Sequence, residues 1–175
     1  MDEVPLQWYH LILSTYGSWL SGDQRGFRTR HHRTHVEGDC KNPPSPGAFA
    51  DWLRFSKDHL KQPPVVLTPA WRALLGTALR EAFRKYDHLV ICLAVSGKHI
   101  HALAKLPCGA ARNIVGDIKR HLWFEARDRG WRGKLWGKRC QPITVRDRAH
   151  QLNVFHYILR HTSAGAWVWS FRDES

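Results

Sequence analysis

Two short apolar runs at residues 91–106 constrain the fold of this chain more than any other stretch. The segment reads ICLAVSGKHIHALAKL, with a Ser-Gly-Lys break at residues 96–98. This pattern predicts two antiparallel strands joined by a tight turn, with the second strand inside a sheet. Side chains alternate between the two faces of a strand, so His99 and His101 fall on one face and Ile100 on the other.

The His-Ile-His triplet is a candidate metal-binding motif. Imidazole is the commonest protein ligand for borderline divalent metals, and a strand holds two such rings a pleat apart without a loop. A third ligand would have to come from elsewhere in the chain. Short motifs also match by chance, so solvent-facing histidines or histidines satisfied within the core stay open as an alternative.

The remaining patterns predict an α+β fold. Strands are expected at residues 8–16, 88–95, 99–106 and 141–145, and helices at 48–61, 68–86, 110–129 and 147–161, with Thr68 as N-cap and Pro69 at the first helical position. This order predicts an antiparallel sheet with helices packed on one face. With 175 residues, the chain is expected to be a single domain, 1–175, with a basic and proline-rich loop insertion at about 17–64.

The charge balance predicts a polyanionic partner. Lys and Arg number 27 against 15 Asp and Glu, which gives a formal charge of +12, and nucleic acid is the first partner to consider. No apolar run is long enough to span a membrane, and the first residues lack the pattern of a signal peptide, so no membrane partner and a cytoplasmic location are expected. The 4 cysteines lie far apart, which predicts free thiols.

Basic residues of the loop insertion, the predicted turn, the third predicted helix and the segment before the last predicted strand are candidates for DNA contact. The 9 tryptophans could offer ring faces for stacking bases, although core packing is the simpler interpretation for each. Binding of single-stranded or hairpin DNA is therefore expected. The predicted DNA-binding residues are Arg25, Arg28, Arg30, Arg33, Lys98, Lys119, Arg120, Lys138 and Arg139.

The last predicted helix places Tyr157 and His161 one turn apart on the same side. Both could have ordinary roles, Tyr157 in the core and His161 at the negative end of the helix dipole. If this helix packs against the His-Ile-His strand, however, His161 supplies the third metal ligand. Tyr157 then lies beside the metal as a candidate nucleophile.

These motifs together resemble the REP-associated tyrosine transposases, within the single-tyrosine transposases of the HUH superfamily. The family pattern Pro-Asn-His-x-His is similar to residues 97–101, and its Arg-Asp pair to residues 146–147. Its Tyr-Ile-x-x-Asn-Pro-x-x-Ala-Gly block is similar to residues 157–165, which are one residue shorter, and its first loop to residues 16–23. Two departures stand out, since Gly-Lys replaces Pro-Asn before the first histidine and His-Thr replaces Asn-Pro after the tyrosine.

The resemblance implies a ferredoxin-like, RRM-like HUH endonuclease fold and a divalent metal, Mg or Mn, at His99, His101 and His161. It implies cleavage of single-stranded DNA by Tyr157, with a 5′-phosphotyrosine intermediate, a free 3′-hydroxyl and rejoining of strands. It also implies a homodimer as one possible assembly. Histidine at position 161 is a softer ligand than asparagine, which favours manganese or a later transition metal over magnesium.

Two other functions remain open from the sequence. A domesticated or inactive relative would bind structured DNA through the arginine-rich loop and the tryptophans without cutting it. A basic RNA-binding α+β domain is the second alternative, but the sequence lacks the aromatic-rich strand motif with which such domains stack bases.

Overall fold

The computed structural model of the chain describes residues 4–24, 27–28, 35–36 and 45–174. Seven strands and four α-helices lie in this part of the chain. In chain order they are β1 (Leu6–Thr15), β2 (Phe27–Arg28), β3 (His35–Val36), α1 (Ala50–Asp58), α2 (Pro69–Lys85), β4 (Leu89–Val95), β5 (His99–Pro107), α3 (Ala111–Asp128), β6 (Trp136–Thr144), α4 (Arg148–Leu159) and β7 (Trp167–Ser170). A 3₁₀ turn at Arg160–Ala164 follows α4, and another at Phe171–Glu174 follows β7.

The five long strands form one antiparallel sheet in the order β6-β1-β5-β4-β7. The predicted α+β class, an antiparallel sheet packed against helices, is confirmed. β4 and β5 form the predicted hairpin. The His-Ile-His strand, β5, occupies the centre of the sheet, where its backbone is paired on both edges.

Helices cover both faces of the sheet, which differs in this detail from the expected packing on one face. α2 and α3 pack on the face that carries Leu93 and Ile100. α4 packs on the opposite face, where Ile158 joins Leu103 and Ala94 in a second, smaller core. The physical reason lies in β4, LVICLAV, which is apolar on both faces, so each face needs a covering layer.

Local capping signals account for the start of α2 and of α4, one helix on each face of the sheet. Thr68 Oγ1 accepts a hydrogen bond from the backbone N–H of Trp71 at 3.4 Å, and Pro69 occupies the first helical position as predicted. Asp147 caps α4 by accepting from the backbone N–H of His150 at 2.7 Å. α4 ends at Leu159, two residues before the predicted end, because the chain tightens there into the 3₁₀ turn.

The edge strand β7 was not predicted. It pairs with β4, and its Trp167 packs against α2 at Gly76, where a Cβ atom would collide with the indole ring. Gly76 thus allows close approach of the helix and the edge strand, at the usual cost of glycine within a helix.

The loop insertion is described only in part. β2 and β3 pair antiparallel, and the Phe27 ring packs edge-on against Phe49 and Trp52 with centroids 5.2 and 5.4 Å away. Arg25, Arg30 and Arg33 lie outside the described residues, as does the side chain of Arg28. None of the described helices is long and apolar enough to cross a membrane.

Candidate metal and tyrosine site

Three histidines from two elements meet on the α4 face of the sheet. β5 supplies His99 and His101, and the 3₁₀ turn after α4 supplies His161. One ring nitrogen of each lies within 4.8 Å of the others. The ring centroid of His101 lies 4.8 Å from that of His99 and 4.6 Å from that of His161. The structure therefore brings together the three residues that the sequence predicted as ligands.

His161 is oriented by the backbone of α4. Its Nδ1 atom lies 3.0 Å from the carbonyl oxygen of Tyr157. A carbonyl only accepts hydrogen bonds, so Nδ1 carries the proton and donates it. The lone pair of His161 is then on Nε2, the nitrogen that remains free to bind a metal ion.

His101 is the most buried member of the cluster, with 3% of its surface exposed. Its Nδ1 atom lies 2.9 Å from Nε2 of His10 on β1. Its Nε2 atom is buried without a hydrogen-bond partner among the described residues. A buried polar atom without a partner costs about 1–3 kcal/mol unless a ligand satisfies it, so this orphaned nitrogen beside two other imidazoles fits a bound metal ion.

The environment keeps the two buried imidazoles neutral. The pKa of His101 is lowered from 6.5 to about 2, mainly by burial and to a smaller extent by electrostatic interaction with His10, His99 and His161. Burial likewise lowers the pKa of His10 to about 4, with smaller effects of His150 and His161. Only the neutral imidazole has a lone pair for a metal, so the site needs no deprotonation of His101 before an ion binds at neutral pH.

Tyr157 lies at the edge of the histidine cluster and faces solvent. Its ring centroid is 4.9 Å from that of His161, 5.4 Å from that of His101 and 5.8 Å from that of His10. The residue is 42% exposed, while its neighbours Val154 and Ile158 on α4 are buried against the sheet. A buried core role does not account for this placement, and a large substrate can reach the phenol.

The predicted DNA-binding residues are spread over different parts of the structure. Lys98 is exposed in the turn immediately before His99. Arg120 and Lys119 belong to α3, on the sheet face opposite the histidines. Arg120 pairs with Asp117 at 3.4 Å, and Lys119 donates to the carbonyl of Gly137 at 2.8 Å.

Burial lowers the pKa of Lys119. Lys138 is exposed on β6, and the side chain of Arg139 is not among those described. DNA contact by these residues stays a prediction.

His10 is the site residue that sequence reasoning missed. It lies within the run WYHLILST, which predicts β1 correctly. This run contains no second metal-ligating side chain that would indicate His10 as part of a site. The register places His10 opposite Leu103, so it is the diagonal neighbour of His101 on the same face. A histidine inside an otherwise apolar strand indicates that the ring has a polar partner. Only the pairing of β1 with β5 identifies that partner as His101.

Comparison with known proteins gives a fold likeness. No protein-family model and no curated protein sequence matches the chain. Among solved structures, the chain is similar to a REP-associated tyrosine transposase bound to a REP hairpin, with a TM-score of 0.48 and 12% identity, over 94% of this chain and 73% of that chain. A likeness at this level carries no argument about function. The function proposed below therefore rests on the geometry of the site.

Proposed function

We propose that this protein is a metal-dependent endonuclease and transposase that cleaves single-stranded DNA through Tyr157. The observation that carries the proposal is the convergence of three imidazoles, one with an orphaned buried nitrogen, beside an exposed tyrosine on a packed helix. The exposed tyrosine offers its hydroxyl to a substrate, and the buried His101 Nε2 atom, which has no partner among the described residues, is satisfied when it binds a metal ion.

His99, His101 and His161 would hold the metal ion. When bound, a divalent ion polarises the scissile phosphate and stabilises the charge that develops on it. Mg²⁺ prefers oxygen ligands, whereas three neutral imidazoles suit Mn²⁺ and later transition metals. The nitrogen-only donor set therefore favours manganese or a later metal over magnesium.

Tyr157 would act as the nucleophile. Its Oη atom attacks the phosphorus, an Oη–P bond forms, and the bond between phosphorus and the 3′ oxygen breaks. The phenol proton passes to solvent, which the exposed ring contacts, and the leaving 3′ oxygen takes a proton from water. The products are a 5′-phosphotyrosine and a free 3′-hydroxyl. Attack by another 3′-hydroxyl on the same phosphorus reverses these changes and rejoins strands, so no nucleotide cofactor is consumed.

DNA would be held mainly by charge. The formal charge of +12 supports a salt-dependent contact with phosphates, and Lys98 lies in the turn beside His99 where it can reach a strand entering the site. The basic loop with Arg25, Arg28, Arg30 and Arg33 would extend this contact. A single-stranded or hairpin substrate is favoured because its phosphates and bases bend into a site more readily than those of a duplex.

A nicking assay tests the proposed function. The protein is incubated with end-labelled single-stranded and hairpin DNA libraries in Mn²⁺, with and without EDTA. We expect nicked product that disappears on chelation, and less product in Mg²⁺. Binding of hairpin DNA without any nicking would instead indicate an inactive relative, and a preference for RNA without nicking would indicate an RNA-binding domain.

A further inference from the structure

We propose that His10 is a positioning residue that holds His101 in the tautomer that can bind a metal ion. The inference rests on the proposed function in taking His99, His101 and His161 as metal ligands. It adds a residue from a third element, β1, to a site otherwise built from β5 and the end of α4. The contact that carries it is the 2.9 Å separation between Nε2 of His10 and Nδ1 of His101.

The backbone of the sheet fixes this contact. β1 and β5 pair antiparallel over nine residue pairs, with His10 opposite Leu103 and His101 opposite Ile12. The two imidazoles are therefore diagonal neighbours on one face, with ring centroids 5.1 Å apart. They are 7% and 3% exposed, so water does not compete freely for the hydrogen bond between them. Neither ring can move far without disturbing the central strands.

A single proton lies between the two nitrogens, and its position decides whether His101 can bind a metal ion. If Nδ1 of His101 carries the proton and donates to His10, the lone pair is on Nε2, the atom facing the ligand cluster. If the proton is on Nε2 instead, a buried N–H group faces the cluster without an acceptor among the described residues. The second arrangement both blocks coordination and leaves a buried donor unsatisfied.

His10 thus selects the first arrangement by offering an acceptor. Its own proton is then on Nδ1, and its Nε2 lone pair receives the hydrogen bond from His101. Partners of this kind, which hold the second nitrogen of a metal-bound histidine, typically change metal affinity about 10- to 100-fold when removed. Here the partner is another imidazole in place of the more usual carboxylate or carbonyl.

The test measures the tautomer of His101 directly, in metal-free protein. Long-range ¹H–¹⁵N NMR spectra of the imidazoles report which ring nitrogen carries the proton, and calorimetry with Mn²⁺ reports affinity. In the parent we expect the proton on Nδ1 of His101. His10→Phe keeps a buried ring but removes the acceptor, so the proton should move towards Nε2 and the Kd for Mn²⁺ should rise about 10- to 100-fold.

Two further variants separate positioning from packing. His10→Gln can place an amide oxygen near the position of the imidazole Nε2, so it should restore both the tautomer and most of the affinity. Tyr9→Phe changes the neighbouring buried residue of β1, whose side chain belongs to the core on the other face. It should change neither measurement. If His10→Phe does not fold, His10→Asn serves as the variant whose amide is too short to reach His101.

Unchanged tautomer and affinity in a folded variant without the acceptor would overturn the proposal. The proposal would also be overturned if His10→Gln and the acceptor-free variant lost affinity for Mn²⁺ equally while the His101 tautomer stayed unchanged. That result would show that His10 acts only in packing. Neither measurement depends on DNA cleavage. A protein that shows the expected tautomer and affinities but never nicks DNA would refute the proposed function and leave the role of His10 intact.

Discussion

The side chains of His10 and His101 meet across the two central strands of the sheet, with 2.9 Å between Nε2 of the first and Nδ1 of the second. This pair anchors the site to β1 and β5, each of which is paired with a neighbouring strand on both edges. The other half of the site, Tyr157 and His161, belongs to α4 and its 3₁₀ extension. The geometry of the site therefore depends on how firmly α4 packs onto the sheet.

Replacing one strand ligand should weaken metal binding with little effect on folding. His99 is half-buried at the start of β5, so His99→Ala removes an imidazole without opening a large cavity. The Kd for Mn²⁺, measured by calorimetry, should rise by more than the roughly 10- to 100-fold typical of losing an outer-shell partner.

His88→Ala is the matched control for this change. His88 is also half-buried but lies before β4, outside the cluster. Its removal should leave the affinity for Mn²⁺ unchanged. Equal affinities for the parent and the His99 variant would show that the cluster is not the metal site.

Truncating the contact between α4 and the sheet should affect stability and cleavage together. Ile158 is fully buried next to Tyr157 in sequence. Ile158→Ala should lower the free energy of unfolding by about 2–5 kcal/mol, measured by urea denaturation, because it leaves a cavity under the helix. The nicking rate of the folded fraction should also fall, since a loosely packed helix positions the phenol less well.

Leu152→Ala on the same helix provides the comparison, because Leu152 is 38% exposed. This variant should lose little stability and keep its nicking rate. A full nicking rate in the folded Ile158 variant would mean that α4 packing does not control the site.

Local signals in the sequence accounted for much of the fold but only part of the site. Thr68 and Pro69 start α2 through contacts within one turn, and strand alternation alone places His99 and His101 on one face. β7 and His10 escaped prediction because each depends on pairing with a distant strand. The register between β1 and β5 makes His10 a partner of His101. No sequence pattern within β1 predicts that register.

The buried thiol of Cys92 should be chemically silent in the folded protein. Burial raises its pKa from 9.0 to about 12. At pH 8, native labelling with iodoacetamide followed by peptide mass spectrometry should modify the exposed Cys108 and spare Cys92 until the protein is unfolded. Rapid native labelling of Cys92 would contradict its burial.

The same shift predicts a loss of stability in base. Between pH 9 and about 12 the unfolded thiol loses its proton while the folded thiol keeps it. The unfolded state then binds fewer protons, so the free energy of unfolding falls as pH rises through this window. In Cys92→Ala, the free energy of unfolding should fall less steeply with pH, as measured by urea denaturation from pH 8 upwards. An unchanged pH dependence would show that other groups cause the loss of stability.

The basic loop should set the strength of DNA binding without affecting the metal. Replacing Arg25, Arg28, Arg30 and Arg33 together by glutamine removes four charges, so hairpin affinity should fall and its dependence on salt should become shallower. Fluorescence anisotropy over a salt series measures both, while calorimetry should give the parental Kd for Mn²⁺. Unchanged affinity and salt dependence would show that the loop does not contact DNA.

Mass spectrometry of the DNA-linked peptide tests the nucleophile most directly. After reaction with single-stranded DNA in Mn²⁺, followed by nuclease and protease digestion, the peptide that contains Tyr157 should carry a nucleotide through a phosphate on that tyrosine. Tyr157→Phe removes one oxygen at a cost of about 1 kcal/mol or less. This variant should bind Mn²⁺ and hairpin DNA like the parent yet give neither adduct nor nick. Nicking by Tyr157→Phe at the parental rate, or an adduct on another residue, would contradict the account.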